Sequence, residues 1–199
     1  MFVICDDGYV MRDKNIYFNW IAKRIKVEGS KILDVGCNPG TFSSKLINMG
    51  HFVTGVDLKH LDMISERFKF TRGDILEVEF ETCSFDYVVA CHVLQHIGLG
   101  YQDIMPHYIC LKGDRFFAEK AYLWLRPGGS LFIVVPIANR FQYMDWSPTY
   151  SWRVYDFDTI MDIFGGRFKI VDKMTFDGAY DTKTKVSDTQ AIVIEAKKI

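Results

Sequence analysis

The chain has 199 residues, 49% of them hydrophobic and 25% charged, with a formal net charge of -1. That length supports one three-layer core rather than two ordinary enzyme domains, so a single domain spanning residues 1–199 is expected. A balanced charge offers no basic footprint for a polyanion, which argues against nucleic acid as the main partner.

Five cysteines, Cys5, Cys37, Cys83, Cys91 and Cys110, are scattered without a CxxC pair. They suggest neither a zinc knuckle nor a disulfide framework and fit the reduced thiols of a cytoplasmic chain. Asp6 and Asp7 stand where a secretory signal would carry bases. No apolar run approaches the roughly 20 residues of a membrane helix, so a soluble protein without a membrane partner is expected.

In chain order, Ile16, Trp20, Ile21 and Ile25 recur at helical spacing between about Asp13 and Val27, which predicts an amphipathic opening helix. The run Lys31-Ile-Leu-Asp-Val-Gly36 is short and rich in β-branched residues, as a buried parallel strand should be. A helix near Thr41–Met49, a strand at Phe52–Asp57, a weaker strand near Phe68–Arg72 and a strand at Phe85–Ala90 follow. Next come a short helix from about His92, a helix near Arg115–Leu125 and a strand at Leu131–Pro136. Such alternation predicts right-handed βαβ units and an α/β sheet covered on both faces. Phe168–Thr175 and Gln190–Ala196 read as an antiparallel pair at one edge. Residues 98–113 and 139–153 fit no regular element, and loops of that length are commonly lids or disordered; the second is rich in aromatics, which argues for a lid.

The first strand runs straight into Asp34-Val-Gly-Cys-Asn-Pro-Gly40-Thr41 and then a helix. Doubly wound folds bind nucleotide-like ligands at such a turn, where glycines admit the ligand and a helix N-terminus presents N–H groups. Roughly 20 residues later Asp57 ends the second strand, where a carboxylate can accept both hydroxyls of a ribose. A dinucleotide loop needs G-x-G-x-x-G, but Asn38 holds the position of its second glycine, so a pyrophosphate fits poorly. Asp34 favours a cationic sulfonium or amino group and repels phosphate.

At this point the sequence resembles the class I S-adenosylmethionine (SAM)-dependent methyltransferases. Ile32–Gly40 looks like their first motif and Gly55-Val-Asp-Leu58 like their second. Arg72-Gly-Asp74-Ile75, Phe85–His96 and Leu125–Val135 look like the later ones, in order. The resemblance implies a Rossmann-like three-layer sandwich with a mostly parallel seven-stranded sheet, order 3-2-1-4-5-7-6, the last strand antiparallel. It implies SAM as cofactor, with the loop of Gly36, Cys37, Asn38, Pro39, Gly40 and Thr41 holding its methionine part. Asp57 would take the ribose hydroxyls, Leu58 would pack on the adenine, and Asp74 and Ile75 would contact the adenine. Cys91 and His92 would line the space beside the methyl group.

Methyl transfer to a hydroxyl also needs a base. His92 and His96 lie four apart on the short helix expected there, hence on one face, and are the candidates. Relatives with a metal in this stretch carry Glu-x-x-Glu-His; His92 and Gln95 replace those acids, so no metal is expected. Without an Asn-Pro-Pro-Tyr turn or a Pro-Cys nucleophile, base methylation is disfavoured. His96–Tyr101 and Arg153–Asp156 look like a bacterial branch linked to surface polysaccharides, which implies a small-molecule acceptor such as a sugar hydroxyl. Tyr143, Trp146 and Trp152 would stack on it and Arg140 or Arg153 would pair with an anionic group. An N-methyltransferase of a small amine, a non-catalytic SAM-binding partner subunit and, more distantly, an NAD-dependent dehydrogenase remain as alternatives. Self-association into a homo-oligomer is left open.

Overall fold

The computed structural model describes residues 2–4, 9–12, 15–99, 110–147, 150–177, 180–181 and 190–199, with side chains placed in 15–99, 110–144, 151–177 and 190–199. The elements in order are β1 Phe2–Ile4, β2 Tyr9–Arg12, α1 Asn15–Ala22, β3 Lys31–Val35, α2 Thr41–Asn48, β4 Phe52–Asp57, β5 Phe68–Arg72 and β6 Phe85–Cys91. A 3-10 turn at Leu94–His96 comes next, then α3 Gly113–Trp124, β7 Leu125–Ile137, β8 Gln142–Ser147, β9 Tyr150–Val154, α4 Phe157–Phe164, β10 Phe168–Asp177, β11 Tyr180–Asp181 and β12 Gln190–Lys198.

Seven strands form the main sheet in the order β5-β4-β3-β6-β7-β12-β10. Counted along the chain within this sheet, the order is 3-2-1-4-5-7-6. β3 pairs in parallel with both β4 and β6, while β12 runs antiparallel to both β7 and β10. The expected topology and its antiparallel last strand are therefore present.

Strand periodicity distributes the core over two faces. Ile32, Val89 and Phe132 point to the layer of α1 and α2, among Phe18, Ile21, Phe42 and Leu46. Their neighbours Leu33, Val88 and Ile133 point to the layer of α3 and α4, among Phe117, Trp124, Ile160 and Phe164. Each fully buried aliphatic side chain of this kind contributes about 1.5–3 kcal/mol relative to exposure. Leu33→Ala, leaving a hole between sheet and helices, would cost about 2–5 kcal/mol.

Several expectations need correction. The opening helix stops at Ala22 instead of running to about Val27. The helix expected from His92 is a 3-10 turn that starts at Leu94; His92 itself has φ 55, outside any helix, so His92 and His96 do not share a helical face. β8 and β9 pair antiparallel, where no regular element was expected. Helix α4 was missed although Asp156 caps it, accepting from Thr159 N at 2.7 Å. β1, β2 and β11 make a separate small sheet that no periodicity announced. Residues 58–67 and 73–84 run as turns and coil. Among the described residues, no helix is long and apolar enough to cross a membrane.

Candidate cofactor and acceptor site

The carboxyl ends of β3, β4 and β6 converge at the point where the strand order reverses, the position at which open α/β sheets bind ligands. After β3 the chain turns at Gly36, with φ 70, whose N–H donates to Val56 O at 2.8 Å. A methyl group on Gly36 would lie 2.7 Å from Val93 Cγ2. Only glycine satisfies both the left-handed backbone and that approach. The Asn38–Pro39 peptide is cis, and Gly40, with φ 83, caps α2. Thr41, in the first turn of that helix, is exposed.

Asp34 is 3% exposed in the floor of this loop, and its Oδ2 accepts from Ser43 Oγ at 2.5 Å. Burial pushes its pKa up to about 7; the Ser43 hydrogen bond opposes this and the nearby Asp57 charge adds to it. Ser43 was not singled out in the sequence, though a buried acid calls for a donor close by, and the first turn of the following helix is where one can reach it.

Asp57 sits at the tip of β4 with both oxygens held by backbone, Oδ2 by Asn38 N at 3.1 Å and Oδ1 by Lys59 N at 2.8 Å. The two loops thus fix its orientation, and each oxygen keeps a second lone pair for a hydroxyl. Asn38 Nδ2 donates to His60 O at 3.0 Å, which ties the glycine loop to the segment after β4. In that segment Leu58 is half-buried. Leu61 and Met63 come within 3.4 and 3.5 Å of where a Gly40 methyl would stand, two apolar neighbours the sequence did not reveal.

Asp74 follows β5 and caps a turn, its Oδ1 accepting from Leu76 N at 2.9 Å. Ile75 is buried in the core cluster on the α3 side. Cys37 is buried against Gly55, and burial pushes its thiol, like that of Cys91 at the end of β6, well up. Neither cysteine is therefore a thiolate nucleophile at neutral pH.

His92 ends β6 in the left-handed region, a costly conformation for a non-glycine residue and one that clusters at functional sites. Its ring lies edge-on to Tyr17 at 5.2 Å. His96 Nδ1 lies 3.3 Å from Ser151 O on β9, so the hairpin leans on the turn that carries this imidazole.

The residues expected to hold the acceptor are dispersed. Arg140 and Tyr143 are exposed, with Tyr143 edge-on to Phe141 at 5.0 Å, and Trp152 is half-buried on β9. Trp146 belongs to β8, but its side chain lies outside the described residues.

Arg153 is 0% exposed. Its guanidinium donates to Ile97 O at 2.8 Å, Leu111 O at 3.1 Å and Cys110 O at 3.4 Å, and Nε lies 3.5 Å from Asp114 Oδ2. That geometry leaves no surface for a substrate anion and makes Arg153 the anchor of the hairpin. The hydroxyl of Tyr155 completes the cluster, donating to Asp114 Oδ2 at 3.2 Å. Where the chain leaves and re-enters around the undescribed residues 100–109, Gly98 and Gly113 cross so closely that a Gly113 methyl would lie 2.8 Å from Gly98 Cα.

These residues fit a nucleoside carrying a cation. A glycine cradle would receive the chain beyond the ribose, and an oriented acid, Asp57, would meet the ribose hydroxyls. A buried acid whose partner is a neutral hydroxyl also gains from a positive ligand. Among the described residues, no cluster of three His, Cys, Asp or Glu could hold a metal ion. The fold and crevice thus define a Rossmann-like protein that binds an adenosyl cofactor rather than a dinucleotide.

Comparison with known proteins carries this further. Residues 33–133, just over half of the chain, match the family described as a methyltransferase domain. The chain belongs to that family and is a class I SAM-dependent methyltransferase domain. It is similar to the ubiquinone biosynthesis O-methyltransferase of Pseudomonas entomophila (strain L48), 29% identical over 124 residues, which cover 53% of each chain. Against the mitochondrial protein of the same description from Bos taurus, identity is 28% over 119 residues, 59% of this chain and 31% of that one. The chain spans about half the length or less of these curated relatives.

Among solved structures, the Burkholderia thailandensis 1,6-didemethyltoxoflavin-N1-methyltransferase, bound to 1,6-didemethyltoxoflavin and S-adenosylhomocysteine (SAH), has a TM-score of 0.73 at 18% identity, covering 92% of this chain and 77% of that one. The N-methyltransferase NodS of Bradyrhizobium japonicum WM9 with SAH scores 0.63 at 15% identity, covering 93% and 87%. At such identities the likeness establishes the fold.

Proposed function

We propose that this protein methylates a hydroxyl group of a small molecule, with His96 as the general base. The observation that carries it is the contact of His96 Nδ1 with Ser151 O at 3.3 Å. A carbonyl accepts only, so Nδ1 is the donor in this contact, and in the neutral ring that leaves the basic lone pair on Nε2. SAM, when bound, supplies an electrophilic methyl group on a good leaving group. Asp57 grips the ribose hydroxyls, the loop Gly36–Gly40 holds the methionine part, and Asp34 faces its positive charge. His96 Nε2 would take the proton of the acceptor hydroxyl as its oxygen takes the methyl group, with SAH as the leaving product. His92 shapes the wall between cofactor and acceptor. Leu58, Asp74 and Ile75 border the adenine side, and Cys91 borders the methyl side.

The similarity to O-methyltransferases of ubiquinone biosynthesis supports oxygen as the target. Tyr143 and Trp152, with Arg140 nearby in sequence, suit an acceptor with a flat or ring-shaped face, a phenol or a sugar. The test is conversion of SAM to SAH by the purified protein with phenols, sugars and amines in parallel. Methylation of a hydroxyl acceptor that His96→Ala slows by roughly 10² to 10⁴, with SAH affinity unchanged, is the expected result. Turnover confined to amines and indifferent to His96→Ala would overturn the proposal.

A further inference from the structure

At the edge of the sheet opposite the cofactor crevice lies a cavity of about 560 Å³. Its walls are Asp86 and Tyr87 at the start of β6, residues 128–130 of β7, the end of antiparallel β12, and the segment just after α1. Five cationic side chains face it, Lys23, Arg24, Lys26, Arg126 and Lys197, against two acids.

Both acids are already satisfied. Asp86 pairs with Arg126 and accepts from Lys31 N at 2.7 Å. Glu195 accepts from Ser130 Oγ at 3.0 Å and lies 3.7 Å from Arg24 Nε, and Arg24 also pairs with Asp172. Lys23, Lys26 and Lys197 are left, all exposed and, among the described residues, without a side-chain hydrogen bond or ion pair.

The wall beside Lys197 is bare peptide. At Gly128, with φ 75, an added methyl would meet nothing nearer than Lys197 Cε at 3.9 Å. A glycine backbone in a cavity that lysine side chains also line allows close approach by an anion. The volume falls within the range of roughly 300–1,000 Å³ typical of small-molecule sites and exceeds what one phosphate fills. With no imidazole or thiol among its lining residues, the cavity is equipped to hold rather than to react.

We propose that this cavity binds a small molecule bearing a di- or triphosphate group, at a site separate from the cofactor's. Nucleic acid is the less suitable occupant, because the charge is confined to a cavity on a chain with a net charge of -1. Helix α1 joins the two sites: Tyr17 near its start touches His92 at 5.2 Å, while Lys23 and Lys26 follow its end.

The test is calorimetric titration of the protein with inorganic pyrophosphate, alone and with SAH present. Saturable binding that weakens with salt, persists with SAH and falls at least about tenfold in Lys23→Gln/Lys26→Gln/Lys197→Gln is expected. SAH affinity should be the same in both proteins, which separates lost anion binding from lost folding. No heat with millimolar pyrophosphate, binding that SAH displaces, or binding the triple variant retains would each overturn the proposal.

Discussion

The two halves of the crevice are built by different means. On the side of β3 and β4 the site is local backbone: Gly36, Gly40 and the peptide N–H groups of Asn38 and Lys59 do the positioning, all within one βαβ unit with the acids Asp34 and Asp57. On the side of β6 and β7 the site is assembled over distance. Arg153 on β9 reaches Ile97, Cys110 and Leu111, and Ser151 reaches His96. The cofactor half should therefore fail by steric change at single glycines and the acceptor half by loss of a buried polar anchor.

The sharpest separation of the halves comes from His96→Ala. It should lower kcat by roughly 10² to 10⁴ and leave SAH affinity unchanged, as removal of a general base does. Steady-state kinetics with an identified hydroxyl acceptor, set beside SAH calorimetry, measures both quantities. A variant that loses SAH affinity in step with kcat would show that the halves are not independent.

Next in size is Arg153→Met, which leaves Asp114 buried without its cation and takes the arginine donors from Ile97 O and Leu111 O, while Cys110 O keeps the N–H of Gly113 at 2.8 Å. Breaking a buried pair from one side costs about 3–5 kcal/mol, read as a lower urea midpoint. Arg153→Lys, able to reach some of the same oxygens, should lose less. If both variants matched the parent in stability, the anchoring role assigned to Arg153 would be wrong.

The same contrast explains what could be seen in the sequence. The strands of the main sheet were legible because each carries its own pattern, with Ile32 and Leu33 committed to opposite faces, while their order followed from the resemblance to the methyltransferase family. The placement of Asp57 beside the glycine loop was legible because both lie within one βαβ unit. The hairpin was not, because only Tyr150–Val154 alternates, its partner Gln142–Ser147 does not, and the pair is held by an arginine whose partners are distant carbonyls. Its charge suggested substrate binding, whereas its burial gives it to the fold. The His92–His96 face was misread because a residue in the left-handed region interrupts the helix that spacing alone assumes.

Gly36→Ala probes the cofactor half directly. A left-handed non-glycine residue costs about 1–3 kcal/mol, and the added methyl also meets Val93 at 2.7 Å. SAH affinity should fall roughly 10- to 100-fold, measured by calorimetry below the melting temperature. Retained affinity would mean that the loop is not the binding element.

The smallest effect, and the most specific to the cofactor half, is a pH dependence set by Asp34. Its pKa in the folded protein is about 7 against an ordinary 3.8, because burial disfavours the carboxylate. The group's contribution to stability is therefore full below the unfolded value and is lost as pH rises through about 7. A cationic ligand beside it favours the ionised form and lowers its pKa in the complex. Binding below pH 7 must then release a proton, so SAM affinity should climb by up to about tenfold per pH unit from 6 to 7 and level off above. Titrations in buffers of different ionisation enthalpy would register the released proton directly. Asp34→Asn should bind more weakly at pH 8 and with a flat profile; a flat profile in the parent protein would mean that Asp34 does not face the positive charge of the cofactor.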